Sequence, residues 1–511
     1  MENLKSKFVR GTLWTLLEKF SLQFVGFGVS MILSRLLTPG DYGTVALLSV
    51  FMSVAGSLTD FGFGSALVQK KDATELDFNS VFYISIFLSS VAYGVLFLAA
   101  PFIAEFYARP ELCPILRVTA LSFIFGAINS VQGAELTRKM LFNLSFRISL
   151  ISTIPAVVVG IVCAFKGFGP WALVWQGFTS GIVGVIARWI IIAWRPRLMF
   201  SFKSLKGLFS FGWKMSVNSI LDSWADDVYQ FVVGKFYSPA DLAYLNKGKS
   251  TPKMLMNAIN GTICRVTFPA LASFQEDKAR VRSAFRRIVQ ASCFFIFPSL
   301  MGFAACCHNM LTLFFGHQWD AAVPYAQCAC FQLAQWPLAL VQMVLAATGN
   351  SGDLLKINII RKLFLIVVMA ATLWISPLAY VAAVAFVYTP ITTWSNNIPS
   401  KRIFGYTFWN EICDVAPIAA ATGVMMLVVW GIDLLMALIG LGGDQYSLIV
   451  FRLALQISFG AATYCVMSYL LRVSAMGEYA RLFLPTVKSR FSVLAPMMEC
   501  LIRRTASQGS K

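Results

Sequence analysis

The sequence predicts an all-α membrane protein with many transmembrane helices, and three observations lead to this prediction. Of the 511 residues, 58% are hydrophobic and only 13% are charged. The mean hydropathy is +0.70, well above that of a water-soluble domain. Apolar runs long enough to cross a bilayer recur along the chain, and each crossing takes about 20 apolar residues. Fourteen such runs are predicted, which excludes an ordinary soluble enzyme.

The basic residues predict the orientation of these helices. The formal net charge is +18, which in a soluble protein would suggest a nucleic-acid partner. In a membrane protein, Lys and Arg instead collect in the cytoplasmic loops. Most of the 42 basic residues lie in alternate connecting segments, beginning with Lys5, Lys7 and Arg10. We therefore expect an even number of spans, both termini in the cytoplasm, and no nucleic-acid partner.

An internal repeat divides the chain. SRLLTPGDYG at residues 34–43 matches GKFYSPADLA at residues 234–243. In both copies a basic residue ends a span, and a Ser/Thr-Pro-x-Asp segment is predicted to turn the chain and cap the next helix. The match predicts two parallel six-helix halves around a central cavity. The predicted domains are residues 1–207 and 208–400, two additional helices in 401–471, and a basic amphipathic tail in 472–511 on the inner membrane surface.

Three basic residues within predicted spans are candidates for substrate binding. Ionisable groups at membrane depth are costly and by default indicate a site. Lys19 and Lys214 lie at similar depths in the first and seventh spans, and Arg265 lies in the eighth. Fixed cations in a cavity of low dielectric constant attract a phosphate or pyrophosphate group strongly. The simpler interpretation of Lys19 is an ion pair with its neighbour Glu18, and that of Lys214 is snorkelling to the headgroups.

Four acidic residues are candidates for ion coupling. Asp222 and Asp226 are one helical turn apart in the seventh span, so they share a face, and neighbouring carboxylates can hold a proton or cation. Glu18 in the first span and Asp60 in the second are the other two candidates. The competing interpretation is a structural hydrogen bond to a neighbouring helix. Asp433 lies outside the repeat and is interpreted as peripheral.

The sequence contains no recognisable catalytic constellation. The only histidines are His308 and His317, and no GxxxxGK phosphate loop occurs. Cys306, Cys307, Cys328 and Cys330 lack the spacing of a zinc site and, like most of the eleven cysteines, are interpreted as small apolar residues. No metal, no cofactor and no enzymatic activity are therefore expected.

The ordered motifs of the first 350 residues resemble a known family. They are GTLWTLLEKFSLQ, ILSRLLTPGDYG, LTDFGFGSALVQKKD, APFIAEFYARPEL, WRPRLMFSFKSLKGLFSFGWK, VVGKFYSPADLAYLNKG and RVTFPALASFQEDKARVRSAFRRI. Together they resemble the Wzx-like oligosaccharide flippases, the lipopolysaccharide and colanic-acid exporter branch of the multidrug/oligosaccharidyl-lipid/polysaccharide (MOP) superfamily. The LNKGKSTPKML stretch after Tyr244 departs from the Tyr-x-Arg-Ala-like pattern that relatives usually carry there.

The resemblance implies a function and its partners. A flippase of this kind moves an undecaprenyl-pyrophosphate-linked oligosaccharide from the cytoplasmic to the periplasmic leaflet of the bacterial inner membrane by alternating access. It also implies energy from a proton or sodium gradient or from the membrane potential, contact with membrane lipids, and an association with polysaccharide polymerase machinery. Two alternatives remain open: a multidrug/cation antiporter of the same superfamily, and a membrane-integral polysaccharide polymerase.

Overall fold

A computed structural model describes residues 2–60, 62–70, 72–272, 278–342, 351–398, 400–401, 405–440, 443, 445–477 and 479. Within these helices, the side chains of residues 2–13, 15–17, 58, 60, 210–226, 258–272, 278 and 351–356 lie outside the description. Every regular element in the described part is a helix and none is a strand, which confirms the predicted all-α class.

Eighteen α-helices follow one another in the described part of the chain. The first nine are α1 (Glu2–Leu36), α2 (Pro39–Asp60), α3 (Phe63–Gln69), α4 (Glu75–Phe106), α5 (Leu112–Ala120), α6 (Ser122–Arg138), α7 (Phe142–Phe165), α8 (Trp171–Ile191) and α9 (Phe202–Phe236). The others are α10 (Pro239–Ala272), α11 (Lys278–Ala305), α12 (Cys307–Phe315), α13 (Val323–Ala334), α14 (Ser351–Thr372), α15 (Pro377–Ala383), α16 (Thr389–Asn396), α17 (Phe408–Leu438) and α18 (Tyr446–Leu470). A π-helical turn at Val384–Tyr388 joins α15 to α16.

Many of these helices are long and apolar enough to cross a membrane. Among the described residues, eight segments meet both conditions, with mean hydropathies from 1.3 to 2.4. They are Glu75–Phe106, Leu112–Arg138, Phe142–Phe165, Trp171–Ile191, Ala279–Ala305, Pro377–Asn396, Phe408–Leu438 and Tyr446–Leu470. The chain is thus a multi-pass membrane protein, whereas the number fourteen stays a prediction. Helix ends expected to face the cytoplasm are called inner ends below, and the opposite ends outer ends.

The two copies of the repeated turn have the same hydrogen-bonded geometry. Thr38 precedes α2, and its hydroxyl donates to Asp41 Oδ2 at 2.7 Å while its backbone nitrogen donates at 2.9 Å. In the second copy, the Ser238 hydroxyl donates to Asp241 Oδ2 at 2.7 Å, and its backbone nitrogen at 3.1 Å. In return, the hydroxyl accepts from the Asp backbone nitrogen in each copy. These are reciprocal caps, so the predicted capping role is confirmed.

The chain forms two compact units, Met1–Ala243 and Tyr244–Lys511. In the first unit, α7 packs along α8 and α1, α4 packs on α5 and α6, and α2 runs beside α9. In the second unit, α17 packs on α11 and α18, and α11 also contacts α13. The division at residue 207, drawn from the repeat, stays a prediction about symmetry rather than about contacts.

The segment before α9 is bonded to the inner end of α4. The backbone nitrogen of Arg197 donates to Asn79 Oδ1 at 2.5 Å, and that of Ser201 donates to Ser80 Oγ at 3.0 Å. Ser204 Oγ donates to Asp77, which also accepts from Lys70 Nζ at 2.7 Å. These bonds fix the start of α9 within the first unit.

Candidate functional site

Glu18, one of the predicted coupling residues, lies in a polar contact between α1 and α7. Its Oε1 atom accepts hydrogen bonds from Ser149 Oγ at 2.9 Å and from Ser145 Oγ at 3.2 Å. The two serines are four residues apart, so they share one face of α7. Two hydroxyl donors on one carboxylate oxygen stabilise its charge where water is scarce. The sequence singled out Glu18 but not these partners.

Arg188 of α8 supplies the opposite charge near Glu18. The two side chains are close enough for electrostatic attraction, and Arg188 is partly buried. Its Nε atom has no hydrogen-bond partner among the residues that the structure describes. Sequence reasoning missed Arg188, because an arginine near the inner end of a span is also the pattern of snorkelling. A buried guanidinium with an unused donor can bind an anionic oxygen, which makes Arg188 a functional candidate.

Lys19 points away from this contact. Its side chain is exposed on α1, and no ion pair joins it to Glu18 within the described part of the chain. The local Glu18–Lys19 pair considered from the sequence is therefore not formed. A lysine exposed on a membrane helix remains available to an anionic partner, so Lys19 stays a candidate for substrate binding.

The other predicted site residues lie on helices whose side chains are described only in part. Lys214, Asp222 and Asp226 belong to α9, Arg265 belongs to α10, and Asp60 ends α2. Their side chains lie outside the described residues. Both the anion site and the coupling site built on them therefore remain predictions.

Helices α2 and α9 are joined by a chain of polar side chains within the first unit. Ser49 Oγ donates to Gln230 Oε1 at 2.8 Å, and Gln230 Nε2 donates to Asp227 Oδ1 at 2.8 Å. Gln230 is buried, with 7% of its surface exposed. Hydrogen bonds between helices are favoured at membrane depth, where unpaired polar groups are costly. Asp227 directly follows the predicted coupling residue Asp226, so the same part of α9 carries both.

An aromatic cluster joins the outer ends of α4 and α9. The rings of Phe106 and Phe231 are stacked with centroids 5.1 Å apart, and Tyr107 meets Phe231 edge-on at 6.2 Å. Lys235 Nζ lies 4.1 Å above the Phe106 ring and donates to the Phe106 carbonyl oxygen. Such a cation–π contact stabilises the cluster while satisfying the ammonium group.

Two glycines allow the backbones to approach closely beside this cluster. A Cβ atom on Gly43 would lie 1.9 Å from the carbonyl oxygen of Pro239, and one on Gly234 would lie 2.2 Å from Leu47 Cδ2. Neither position can hold a larger residue without movement. The polar chain Ser49–Gln230–Asp227, the aromatic cluster and these glycine contacts are together called the outer seam. It is a closed and densely packed contact.

Below the outer seam, the first unit contains an apolar cavity of about 600 Å³. Its lining residues are contributed by α2, α4 and α9: Val50, Phe51, Val54, Ala55, Leu88, Val91, Ala92, Val95, Leu96, Val228 and Phe231. Every one is hydrophobic, and Val91 and Val95 are largely exposed on α4. The cavity can therefore hold hydrocarbon but offers nothing to a charged group.

A second polar network ties α12, α17 and α18 together in the second unit. Asn309 Nδ2 donates to Asp433 Oδ1 and to Gln456 Oε1, both at 3.1 Å. Arg452, whose side chain is 9% exposed, lies 3.4 Å from Asp433. Asp433, interpreted as peripheral from the sequence, has a side chain that is 45% exposed, and it accepts from Asn309 and Arg452, which are both buried. The sequence offered no signal for this, because the partners of Asp433 come from two other helices, α12 and α18.

A helical chain with many membrane-length helices, a duplicated capped turn and polar contacts between spans is a multi-pass membrane transporter. A family model described as "Polysaccharide biosynthesis protein" matches residues 32–324, more than half of the chain and both copies of the turn. The protein belongs to this family.

Known proteins support the same assignment. "Lipopolysaccharide biosynthesis protein WzxC" of Escherichia coli (strain K12) is 22% identical over 334 residues, which are 64% of this chain and 67% of that protein. "Succinoglycan biosynthesis transport protein ExoT" of Rhizobium meliloti (strain 1021) is 26% identical, covering 61% of this chain and 63% of that protein. These matches confirm the predicted resemblance to polysaccharide flippases.

A solved structure has the same fold. "Lipid II flippase MurJ, inward closed conformation" superimposes with a TM-score of 0.72 at 12% identity, over 90% of this chain and 98% of that chain. At this identity the likeness concerns the fold alone. It supports the architecture that the hydropathy pattern predicted.

Proposed function

We propose that this protein moves a polyprenyl-pyrophosphate-linked oligosaccharide, of the undecaprenyl class, from the cytoplasmic to the periplasmic leaflet of a bacterial inner membrane by alternating access. The observation that carries the proposal is the family match over residues 32–324, which includes both copies of the capped turn. Two relatives are named for lipopolysaccharide biosynthesis and for succinoglycan transport. A protein of similar fold is named a lipid II flippase.

The substrate class sets the chemical requirements of the site. A pyrophosphate carries charge that cannot cross hydrocarbon unaided, so the transporter must present fixed cations along its route. Lys19, Lys214 and Arg265 are the proposed binding residues, and the exposed side chain of Lys19 supports this role. The sugar part requires polar surface, whereas the polyprenyl chain can remain in the bilayer.

Ion coupling is proposed for four carboxylates: Glu18, Asp60, Asp222 and Asp226. The environment of Glu18 supports this role, because two serine hydroxyl groups donate to its carboxylate and the guanidinium of Arg188 lies nearby. A proton or sodium gradient would supply the energy. The predicted cytoplasmic termini and an association with polysaccharide polymerase machinery belong to the same proposal.

The test measures the accumulation of lipid-linked repeat units in a deletion strain and its rescue by intact and variant genes. A strain that lacks the gene should accumulate lipid-linked repeat units on the cytoplasmic side, and the intact gene should remove this pool. Arg265→Ala and Lys214→Ala should rescue at least tenfold less at equal expression, because each removes a fixed charge from the anion site. Lys206→Ala is the matched control, since Lys206 is an exposed cation on the same helix as Lys214. Full rescue by both site variants would remove the anion site from the proposal.

A further inference from the structure

Glu411, in the first turn of α17, is a completely buried carboxylic acid. Its exposed surface is 0%, although the residue lies at the inner end of a helix long enough to span the membrane. An ionisable group in such a position is costly unless it is neutralised. Neither the repeat nor the proposed anion site uses this residue.

The two oxygens of Glu411 have different surroundings. Oε2 accepts a hydrogen bond of 2.8 Å from Asn397 Nδ2, at the end of α16. Oε1 is buried and has no partner among the described residues. No ion pair involves Glu411 in that part of the chain either. The carboxyl group therefore receives a single neutral donor.

Asp414, three residues later on the same helix, shows what a compensated carboxylate looks like here. Arg286 of α11 contacts its Oδ1 at 2.5 Å, and Tyr406 donates its hydroxyl to Oδ2 at 2.8 Å. Burial and this hydrogen bond raise the pKa of Tyr406, so that hydroxyl stays a donor. Asp414 thus contacts a cation and a hydroxyl group, whereas Glu411 accepts from one amide group.

The N-terminus of α17 does not compensate for the cost of burying a charged Glu411 side chain. An α-helix N-terminus stabilises a negative charge by up to about 2 kcal/mol in a partly buried geometry, whereas burying an ion costs several kcal/mol. The backbone nitrogens of Asn410 and Glu411 are already bonded to Thr407. A neutral carboxyl group removes most of this cost, because it carries no net charge.

We propose that Glu411 is a proton-binding site, which holds its proton while α17 is packed against α11 and the end of α16 and releases it when this inner end opens to water. The release step rests on the proposed transport function. Its place is distinct from Glu18, Asp60, Asp222 and Asp226, because Glu411 lies on a helix outside the internal repeat.

The neighbouring groups favour a proton over a metal ion. Among the described residues, Asp414 of α17, Tyr406 before α17 and Cys293 of α11 interact electrostatically with Glu411. The other charged or titratable groups on the surrounding elements contact different partners: Arg286 pairs with Asp414, Arg282 lies over the Tyr406 ring, and Tyr464 of α18 donates to the Phe294 carbonyl oxygen. Asn397 presents its N–H group, not its oxygen, to Glu411. A metal cation requires several converging oxygens, and the described residues contain no group of three or more His, Cys, Asp or Glu suited to one.

Infrared spectroscopy of the full-length protein in vesicles tests the bound proton directly. At pH 7, the wild-type spectrum should contain the C=O stretch of a protonated carboxylic acid that Glu411→Gln lacks. Glu75→Gln is the matched control, because Glu75 opens another spanning helix at its inner end but is exposed and paired with Arg197. That control should lose only carboxylate absorption. If Glu411→Gln also loses only carboxylate absorption, the site is refuted.

The release step is tested by flipping of a lipid-linked oligosaccharide under an imposed pH gradient. Glu411→Gln should keep the fold, since the amide imitates the neutral acid, and should lose at least fivefold of the gradient-driven rate, whereas Glu75→Gln should not. An unchanged gradient response in Glu411→Gln would overturn the release step. If the wild type flips no such lipid, the proposed function is refuted instead. The infrared band would still show whether Glu411 binds a proton.

Discussion

Replacing Gly43 by Ala tests whether the outer seam must close for transport. Gly43 lies near the start of α2, against Pro239, the first residue of α10. The added Cβ would meet three atoms of Pro239: the carbonyl oxygen at 1.9 Å, the carbonyl carbon at 2.3 Å and Cβ at 2.7 Å. Two of these are backbone atoms, so a side-chain rotation cannot relieve the clash.

The size of the effect follows from this geometry. To reach an ordinary contact of 3.4 Å from 1.9 Å, the two turns must separate by about 1.5 Å. Overpacking of this kind costs about 1–3 kcal/mol. If the clash destabilises only the closed form of the outer seam, the equilibrium between closed and open forms shifts about 5- to 150-fold toward the open form. The Ser49–Gln230 bond also joins α2 to α9, and the Phe106–Phe231 stack joins α4 to α9, so both would loosen if the outer end of α9 moved.

Thiol labelling measures the opening. In a Ser49→Cys background, a membrane-impermeant maleimide added from the predicted periplasmic side should react at least fivefold faster when Gly43→Ala is present, and flipping should slow. Gly94→Ala is the control, because a Cβ on Gly94 of α4 meets no atom within 4 Å. Equal labelling, flipping and thermal stability in the two glycine variants would refute the reasoning.

Three further substitutions probe contacts described above. Asp77→Asn removes the charge that accepts from Lys70 and Ser204 and should lower the free energy of unfolding by about 1–3 kcal/mol. The control Glu75→Gln should change this free energy by less than about 1 kcal/mol. Thermal unfolding measures both, and equal losses in the two variants would contradict this account. Arg452→Met removes the cation of this network, while Asp433 keeps its hydrogen bond from Asn309, and should lower the free energy of unfolding by about 1–2 kcal/mol. An unchanged melting temperature would show that the network is dispensable. Glu18→Gln and Arg188→Gln should each reduce flipping, and the double variant should lose less than the two effects combined; strict additivity would separate the two residues.

Features coded within a few neighbouring residues were predictable from the sequence. The caps at Thr38–Asp41 and Ser238–Asp241 join residues three apart, so the motif alone specifies the bonds. Hydropathy runs predicted the helical class because each span satisfies its own backbone hydrogen bonds. Both signals are local and do not depend on which helices become neighbours.

The partners of buried charges were not predictable in the same way. Glu411 and Asp414 are three residues apart on one helix, yet one has a guanidinium partner and the other has only an amide. That difference depends on which residues of α11 and α16 lie opposite the two acids. The spacing of residues along the sequence does not reveal which helices become neighbours. Arg188 was overlooked and Asp433 was interpreted as peripheral for the same reason. The close approaches at Gly43 and Gly234 likewise depend on the neighbouring helix.

The apolar cavity makes α2, α4 and α9 easier to displace toward their middle than at their outer ends. At their outer ends, Gly43 leaves no room for even a Cβ atom, while about 600 Å³ of apolar space opens beside the middle of the same helices, where Val91 and Val95 are exposed. Close-packed atoms resist displacement, whereas walls that face mobile hydrocarbon chains can move while keeping their dispersion contacts. Strain applied to α9 would therefore be taken up at this depth of the bundle before the rigid outer ends separate.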